Sequence, residues 1–273
     1  MTRRRLDAEL TRRGLARSRE HAQQLVEAGS VQVRGSTAIK CATVVSDADA
    51  ITVVSSGPTW VSRGATKLLG ALDAWPAANV RDRRALDAGA STGGFTQVLL
   101  ERGASAVIAA DVGYGQLAWS LRSDDRVIVL ERTNVRYLES QALPWRPQFV
   151  VADLSFISLT SVIAPLAAVC EPGADLLVMV KPQFEVGRDQ VGSGVVRDPA
   201  LRIQAVRKVA LHAIDLGLSI RGVTPSPLPG PSGNVEYFIW MSAAGENDRV
   251  ELPMLSRPDV VTAVEDAVRG GPP

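Results

Sequence analysis

Short apolar runs recur along residues 85–181, each ending on a charged residue: A-V-I-A-A-D within 105–112, the stretch 126–131, Q-F-V-V-A-D at 148–153 and A-D-L-L-V-M-V-K at 174–181. Runs of this length with little polar interruption read as strands buried on both faces. Between them lie helix-spaced stretches, among them 66–75 with Leu68, Leu69 and Leu72, and the amphipathic stretch 201–216. Strand and helix in alternation predict βαβ units and a largely parallel sheet, an α/β fold. Two more strands follow, S-I-R-G-V at 219–223 and E-Y-F-I-W-M at 236–241.

The start of the chain is patterned differently. Leu6 and Leu10 sit one helical turn apart before Gly14, and Ser18 can cap a second helix over 19–28 that Gly29 closes. V-Q-V-R-G then predicts a strand with a turn at Gly35, and A-D-A-I-T-V-V a strand ending near Val54. The polar break at 55–58 holds Gly and Pro and marks a boundary. We therefore expect a small α+β domain at 1–57, a linker at 58–62, an α/β domain at 63–245 and a polar tail at 246–273 with no assigned role.

One loop carries the first chemical signal. Residues 85–96 read A-L-D-A-G-A-S-T-G-G-F-T, a strand turning sharply into a helix. A dinucleotide fingerprint has glycine where this chain has Ser91, and that second glycine is what lets backbone touch a pyrophosphate. An acid two residues before Gly89 favours a cationic ligand instead, so Asp87, Gly89, Ser91 and Gly93 lean toward S-adenosylmethionine rather than a dinucleotide. Asp111 closes the next strand about 20 residues on, where a ribose-hydroxyl acceptor belongs. Asn134 is placed to face an adenine. Asp153 and Lys181 close two further strands, and ligands of open sheets gather at such carboxyl ends.

Charge adds a direction. The net charge of the 273 residues is +1, yet 1–57 holds nine basic residues against six acids. Cys41 and Cys170 stand alone, without disulfide or zinc spacing. No apolar run approaches membrane length and no signal sequence opens the chain, so a soluble cytoplasmic protein is expected.

The N-terminal layout resembles the RNA-binding module named after the fourth small-subunit ribosomal protein, through R-L-D-A-E-L at 5–10, R-S-R-E-H-A-Q-Q-L-V-E-A-G at 17–29 and V-Q-V-R-G at 31–35. The resemblance implies that Arg3, Arg4, Arg5, Arg17 and Arg19 meet RNA phosphates. Farther on, Lys67, Asp153, Lys181 and Glu236 follow in the order K-D-K-E. A ribose 2′-hydroxyl attacks well only when its proton is taken, and a lysine, with a reference pKa near about 10.4, can serve once burial or a second amine disfavours its charged form. Such a route needs no metal.

At S-R-G-A-T-K-L (62–68), L-D-A-G-A-S-T-G-G-F-T (86–96), A-D-V-G-Y-G-Q-L (110–117), D-L-S-F-I-S-L (153–159), L-V-M-V-K-P-Q-F-E (177–185) and P-G-P-S-G-N-V-E-Y-F (229–238) the chain is similar to the TlyA family of rRNA 2′-O-methyltransferases. The resemblance implies a Rossmann-like methyltransferase fold of the FtsJ type, with a mostly parallel seven-stranded sheet and S-adenosylmethionine as cofactor. It implies Lys181 as base, Lys67 as its partner, Asp153 and Glu236 as their orienting acids, and Phe156 beside Asp87, Gly89, Ser91, Gly93 and Asp111 at the cofactor. It further implies cytidine riboses of 16S and/or 23S rRNA within ribosomal subunits as substrate, a link to capreomycin and viomycin susceptibility, and no obligate protein partner.

Other readings are a non-catalytic rRNA-binding assembly factor, which the full K-D-K-E set opposes, and a pore-forming haemolysin, which the lack of a membrane segment opposes. A base N-methyltransferase commonly carries N/D-P-P-Y/F after its fourth strand, where this chain has D-L-S-F.

Overall fold

The computed structural model describes residues 3–16, 18–27, 29–53, 60–187, 191–192, 194–243 and 254–271. The chain divides into two compact units, Met1–Thr59 and Trp60–Pro273. Arg17, residues 58–59 of the expected linker, and 246–253 and 272–273 of the tail lie outside the described residues.

In the first unit, strand β1 (Arg3–Arg5) leads directly into helix α1 (Leu6–Arg12), and α2 (Arg19–Glu27) follows. Gly14 and Gly29 have φ of +72° and +67°, the left-handed turns that end the two helices. Ser18 Oγ accepts from the His21 amide at 3.1 Å, capping α2. Strands β2 (Val31–Val33), β3 (Ser36–Thr37), β4 (Val44–Ser46) and β5 (Ile51–Val53) complete the unit. β3, β2 and β5 form one antiparallel sheet, and β4 pairs with β1. Leu6, Leu10, Ala22, Val26, Val31, Val45 and Ile51 fill its small core.

The second unit runs α3 (Gly64–Ala74), β6 (Arg84–Ala88), α4 (Gly94–Glu101), β7 (Ala106–Ala110), α5 (Trp119–Arg122), β8 (Val127–Leu130), β9 (Phe149–Ala152), α6 (Ile163–Val169), β10 (Asp175–Val180), α7 (Pro182–Glu185), α8 (Pro199–Asp215), β11 (Ser219–Pro225), β12 (Tyr237–Ser242) and α9 (Arg257–Arg269). Its seven strands lie in the order β11-β12-β10-β9-β6-β7-β8. Only β12 runs against the rest, pairing antiparallel with both β10 and β11. The sheet is thus the mostly parallel seven-stranded sheet that the resemblance implies.

Side-chain alternation explains the layers. Along β10, Leu176, Val178 and Val180 enter the core under α6, α8 and α9, while Leu177 and Met179 enter the core under α3 and α4. Both faces are covered, which is why these strands read as continuous apolar runs. Trp60 and Val61, expected in the linker, pack against the second of these cores. The tail contributes α9, whose Val260, Val264 and Val268 are buried in the first. Among the described residues no helix is long and apolar enough to cross a membrane.

Candidate active site

The strand order reverses between β6 and β9: the chain moves outward to β7 and β8 on one side and to β10 on the other. Loops leaving the carboxyl ends of these two strands diverge, and a crevice opens between them. It measures about 500 Å³ and is walled by Gly89, Ser91, Asp111, Asn134, Asp153 and Phe156, with Val112, Gln116, Thr133, Val135, Leu154, Ser155 and Ile157. That size lies in the ordinary range for small-molecule sites.

Gly89 keeps the crevice in shape. Its φ is +90°, and a Cβ there would lie 2.5 Å from the carbonyl oxygen of Asp153. Only glycine lets the ends of β6 and β9 approach so closely. Asp111 braces the other wall, its two carboxylate oxygens accepting from the amides of Ser91 at 2.8 Å and Gly113 at 2.7 Å. A carboxylate has about four acceptor positions, so two remain for ribose hydroxyls. The Asn134 side-chain oxygen accepts from the Arg136 amide. A glycine-bounded crevice with a spare acid and an exposed aromatic at Phe156 fits a nucleoside cofactor.

Two of the residues expected at the cofactor lie elsewhere. Asp87 is a strand residue, and alternation turns it to the same side as Ala85, under α4, where Thr96 Oγ1 donates to it at 2.7 Å. It is fully buried beneath the crevice and does not line it. Burial pushes its carboxyl up to about 7, Thr96 pulling the other way and the charges of Asp153 and Asp111 adding to the rise. Gly93 makes the left-handed turn into α4, φ +97°, against Leu117 and Leu121 rather than in the wall.

The K-D-K-E residues arrive from four elements. Val180 stands opposite Tyr237 across the β10–β12 pair, so Lys181 and Glu236 emerge side by side just beyond it. Asp153 emerges from β9 on the other side of β10. Lys67 comes from α3 and meets Glu236 at 2.5 Å, both side chains buried. Lys181 lies 2.6 Å from Asp153 Oδ1 and donates a hydrogen bond to Ser155 Oγ at 3.0 Å. Its approach to Asp153 is an ionic contact, since Oδ1 receives no aligned hydrogen bond. The two lysines are therefore split between two acids, Lys67–Glu236 inside and Lys181–Asp153 at the crevice. A Cβ on Gly230 would come within 2.5 Å of Glu236 Oε1, so the P-G-P turn closes on that acid.

Sequence reasoning missed Ser155 and Gln116 in the crevice wall, and the exposed side chains Val112, Tyr114, Trp119 and Tyr137. Arg132 lies over Tyr114 and Arg136 over Tyr137. Only Arg136–Tyr137 was visible as neighbours in the sequence; Arg132 and Tyr114 come from the ends of different strands and meet only in the fold.

The arginines of the first unit divide into two sets. Glu9, 1% exposed, accepts from Arg12 at 2.8 and 2.6 Å and from Arg13 at 2.8 Å, with Arg4 at 3.7 Å. Arg13 also donates to the carbonyls of Asp49 and Ser46, so it is built into the unit. Arg4 and Arg12 share Asp47 Oδ1, and Arg5 grips Asp7 with two bonds. Arg3 and Arg19 are exposed.

A mostly parallel sheet that reverses its strand order at a nucleoside-sized crevice puts the chain in the class of Rossmann-like folds that bind nucleoside cofactors. Comparison with known proteins narrows this: residues 60–243 match the FtsJ-like methyltransferase model and residues 4–38 the S4 domain. The 16S/23S rRNA (cytidine-2′-O)-methyltransferase TlyA of Mycobacterium tuberculosis is 57% identical over 98% of both chains. Hemolysin A of Brachyspira hyodysenteriae is 38% identical over 86% of this chain and 98% of its own. A solved structure from Streptococcus thermophilus, named as a hemolysin, superposes with a TM-score of 0.73 at 36% identity, covering 99% of this chain and 96% of that one. The chain belongs to the TlyA family of FtsJ-like methyltransferases.

Proposed function

We propose that this enzyme methylates the 2′-hydroxyl of a cytidine in rRNA, with S-adenosylmethionine as donor. The observation that carries the reading is Asp153, which both lines the crevice and pairs with Lys181 at 2.6 Å. One pair of charged groups thereby joins the cofactor site to the acceptor site.

Gly89, Ser91, Asp111, Asn134 and Phe156 would hold the cofactor. When bound, S-adenosylmethionine supplies an electrophilic methyl on a positively charged sulfur. Lys181 Nζ accepts the 2′-hydroxyl proton as the ribose oxygen attacks, and must be neutral beforehand. Covering the crevice with RNA strips water from the amine, which disfavours the charged form. Asp153 and Ser155 fix where Nζ stands, and Ser155 can accept a hydrogen bond from the neutral amine as well as from the ammonium. Lys67 and Glu236 neutralise one another behind the site and hold α3 to β12.

Recognition of rRNA falls to Arg3, Arg4, Arg5, Arg17 and Arg19 in the first unit, with Arg132, Tyr114, Arg136 and Tyr137 offering cation and ring surfaces in the second. The S4 domain match supports that role for the first unit. Cells lacking the methyl are expected to lose susceptibility to capreomycin and viomycin. The test is transfer of labelled methyl from S-adenosylmethionine to ribosomal subunits, with the product mapped by ribose-methylation analysis of the rRNA. Label at a cytidine 2′-oxygen is the expected result; label on a base, or none, ends the reading.

A further inference from the structure

Glu185 is a buried carboxylate that the reaction leaves unused. It ends α7, and only 5% of it is exposed. Its oxygens accept from Ser158 Oγ and from the Leu159 amide, both at 2.6 Å, and Lys208 of α8 stands 3.6 Å from Oε2. Lys208 also donates to the Glu185 carbonyl at 2.9 Å. A buried acid needs partners, and these satisfy it. Where they come from is the informative point.

Ser158 and Leu159 end the segment that leaves β9, the same segment that begins with Asp153 and Ser155. Glu185 ends the segment that leaves β10, which begins with Lys181. Three ties therefore lace the two together: Lys181 to Asp153 and Ser155 at the crevice, the Phe156 and Phe184 rings 5.2 Å apart in the middle, and Glu185 to Ser158 and Leu159 in the interior. Between the outer two ties Phe156 is held at φ +64°, a conformation that a bulky L-residue keeps only when its surroundings impose it. The interior tie is the one shielded from water.

We infer that Glu185 is a positioning residue for methyl transfer: through Ser158 and Leu159 it fixes segment 153–159 so that Asp153 and Ser155 hold Lys181 Nζ toward the ribose hydroxyl. The inference rests on the ribose-methylation reading. Burial pushes the Glu185 carboxyl above its usual range against the pull of Ser158, Leu159 and Lys208. Glutamine keeps one acceptor oxygen for the Leu159 amide, and its own amide can donate to Ser158 Oγ, so it should replace the acid.

The test compares the full-length protein with Glu185→Ala, Glu185→Gln and Lys208→Ala. In Glu185→Ala, kcat is expected to fall by about 30-fold, short of the roughly 100-fold that a 1 Å misplacement can cost, with S-adenosylmethionine affinity and KM for subunits within about threefold of wild type. Glu185→Gln should recover kcat to within about threefold, and Lys208→Ala should leave it there. A second readout needs no turnover: the pH profile of Lys181 acylation by an amine reagent, followed by mass spectrometry, should shift in Glu185→Ala and return in Glu185→Gln. Wild-type kcat in Glu185→Ala overturns the inference. So does an equal loss in Ala and Gln with lowered thermal stability and an unmoved Lys181 profile, which marks a purely structural acid. If wild type itself puts no methyl on ribose, the functional reading fails by that result, and the Lys181 profile still decides whether Glu185 positions the lysine.

Discussion

Glu9 and Asp87 are both carboxylates hidden from solvent, and their titrations move in opposite directions. Glu9 is held down to about 2 by the guanidiniums of Arg12 and Arg13, whereas Asp87, with a threonine hydroxyl as its partner, is pushed up to about 7. The cover differs too. Arginines that are themselves partly open to water lie over Glu9, so its charge is screened from one layer away, while Asp87 lies under a helix. Burial alone does not set the charge of an acid; what the covering atoms can donate does. The first unit keeps its acid ionised and gathers guanidiniums around it, which suits the anionic partner proposed for that unit. The second keeps acids and amines in balanced ion pairs, which suits the proton transfer proposed for Lys181.

The strongest way to break this contrast is Lys181→Ala. Removing the amine that must change protonation is expected to lower kcat by about a thousandfold or more, within the range of general-base losses, while calorimetric S-adenosylmethionine affinity stays within a few-fold. An equal loss of cofactor affinity would move Lys181 out of the base role. Next comes charge reversal at Arg4 and Arg19, expected to weaken subunit binding by about 30-fold at low salt and to flatten the slope of log Kd against log salt. An unchanged slope would remove these side chains from RNA contact. Glu9→Ala releases Arg12 and Arg13 from their common anchor and should cost about tenfold in subunit affinity, with kcat at saturating subunits nearly unchanged.

The smallest effect concerns pH. A carboxyl raised from about 3.9 to about 7 favours the fold fully below pH 4, and that advantage drains away as pH rises to 7. Asp87→Asn should therefore flatten the dependence of Tm on pH between 5 and 8, by about 5 °C. Glu9 has the reverse sign, its contribution present above about pH 4.5 and lost as pH falls toward 2. A wild-type Tm that climbs from pH 5 to 8 would count against the raised Asp87 carboxyl.

Much of the second unit is legible in its strands, because runs such as F-V-V-A and L-L-V-M-V are buried on both faces and carry the signal locally. β1 is not legible: R-R-R becomes a strand only because Val44–Ser46 lies beside it. α9 left a trace in S-R-P-D, where Ser256 and Asp259 form a reciprocal cap with proline in the first turn, but the polar composition of the tail masked it. α6 is short and rich in alanine, with no polar face to set a period. In the site, the strand ends gave Asp153 and Lys181, and the family resemblance gave their roles. Which acid meets which lysine depends on β12 inserting between β10 and β11, and no local pattern encodes that order. The placement of Asp87 was not legible locally, since only its packing beneath α4 against Thr96 shows that it does not line the crevice.

The reversal of strand order at Gly89 also divides labour between the two halves of the sheet. Ser91, Asp111 and Asn134 come from β6, β7 and β8, while Asp153, Lys181 and Glu236 come from β9, β10 and β12. Under the proposed reading, most donor contacts and the acceptor chemistry thus reside on opposite half-sheets, with Phe156 reaching across from the second half, and the two meet along the β6–β9 pairing that Gly89 ends. A change in the atom that receives the methyl would then fall mainly on the β9, β10 and β12 side, while Gly89 keeps the crevice open at the seam that both sides use.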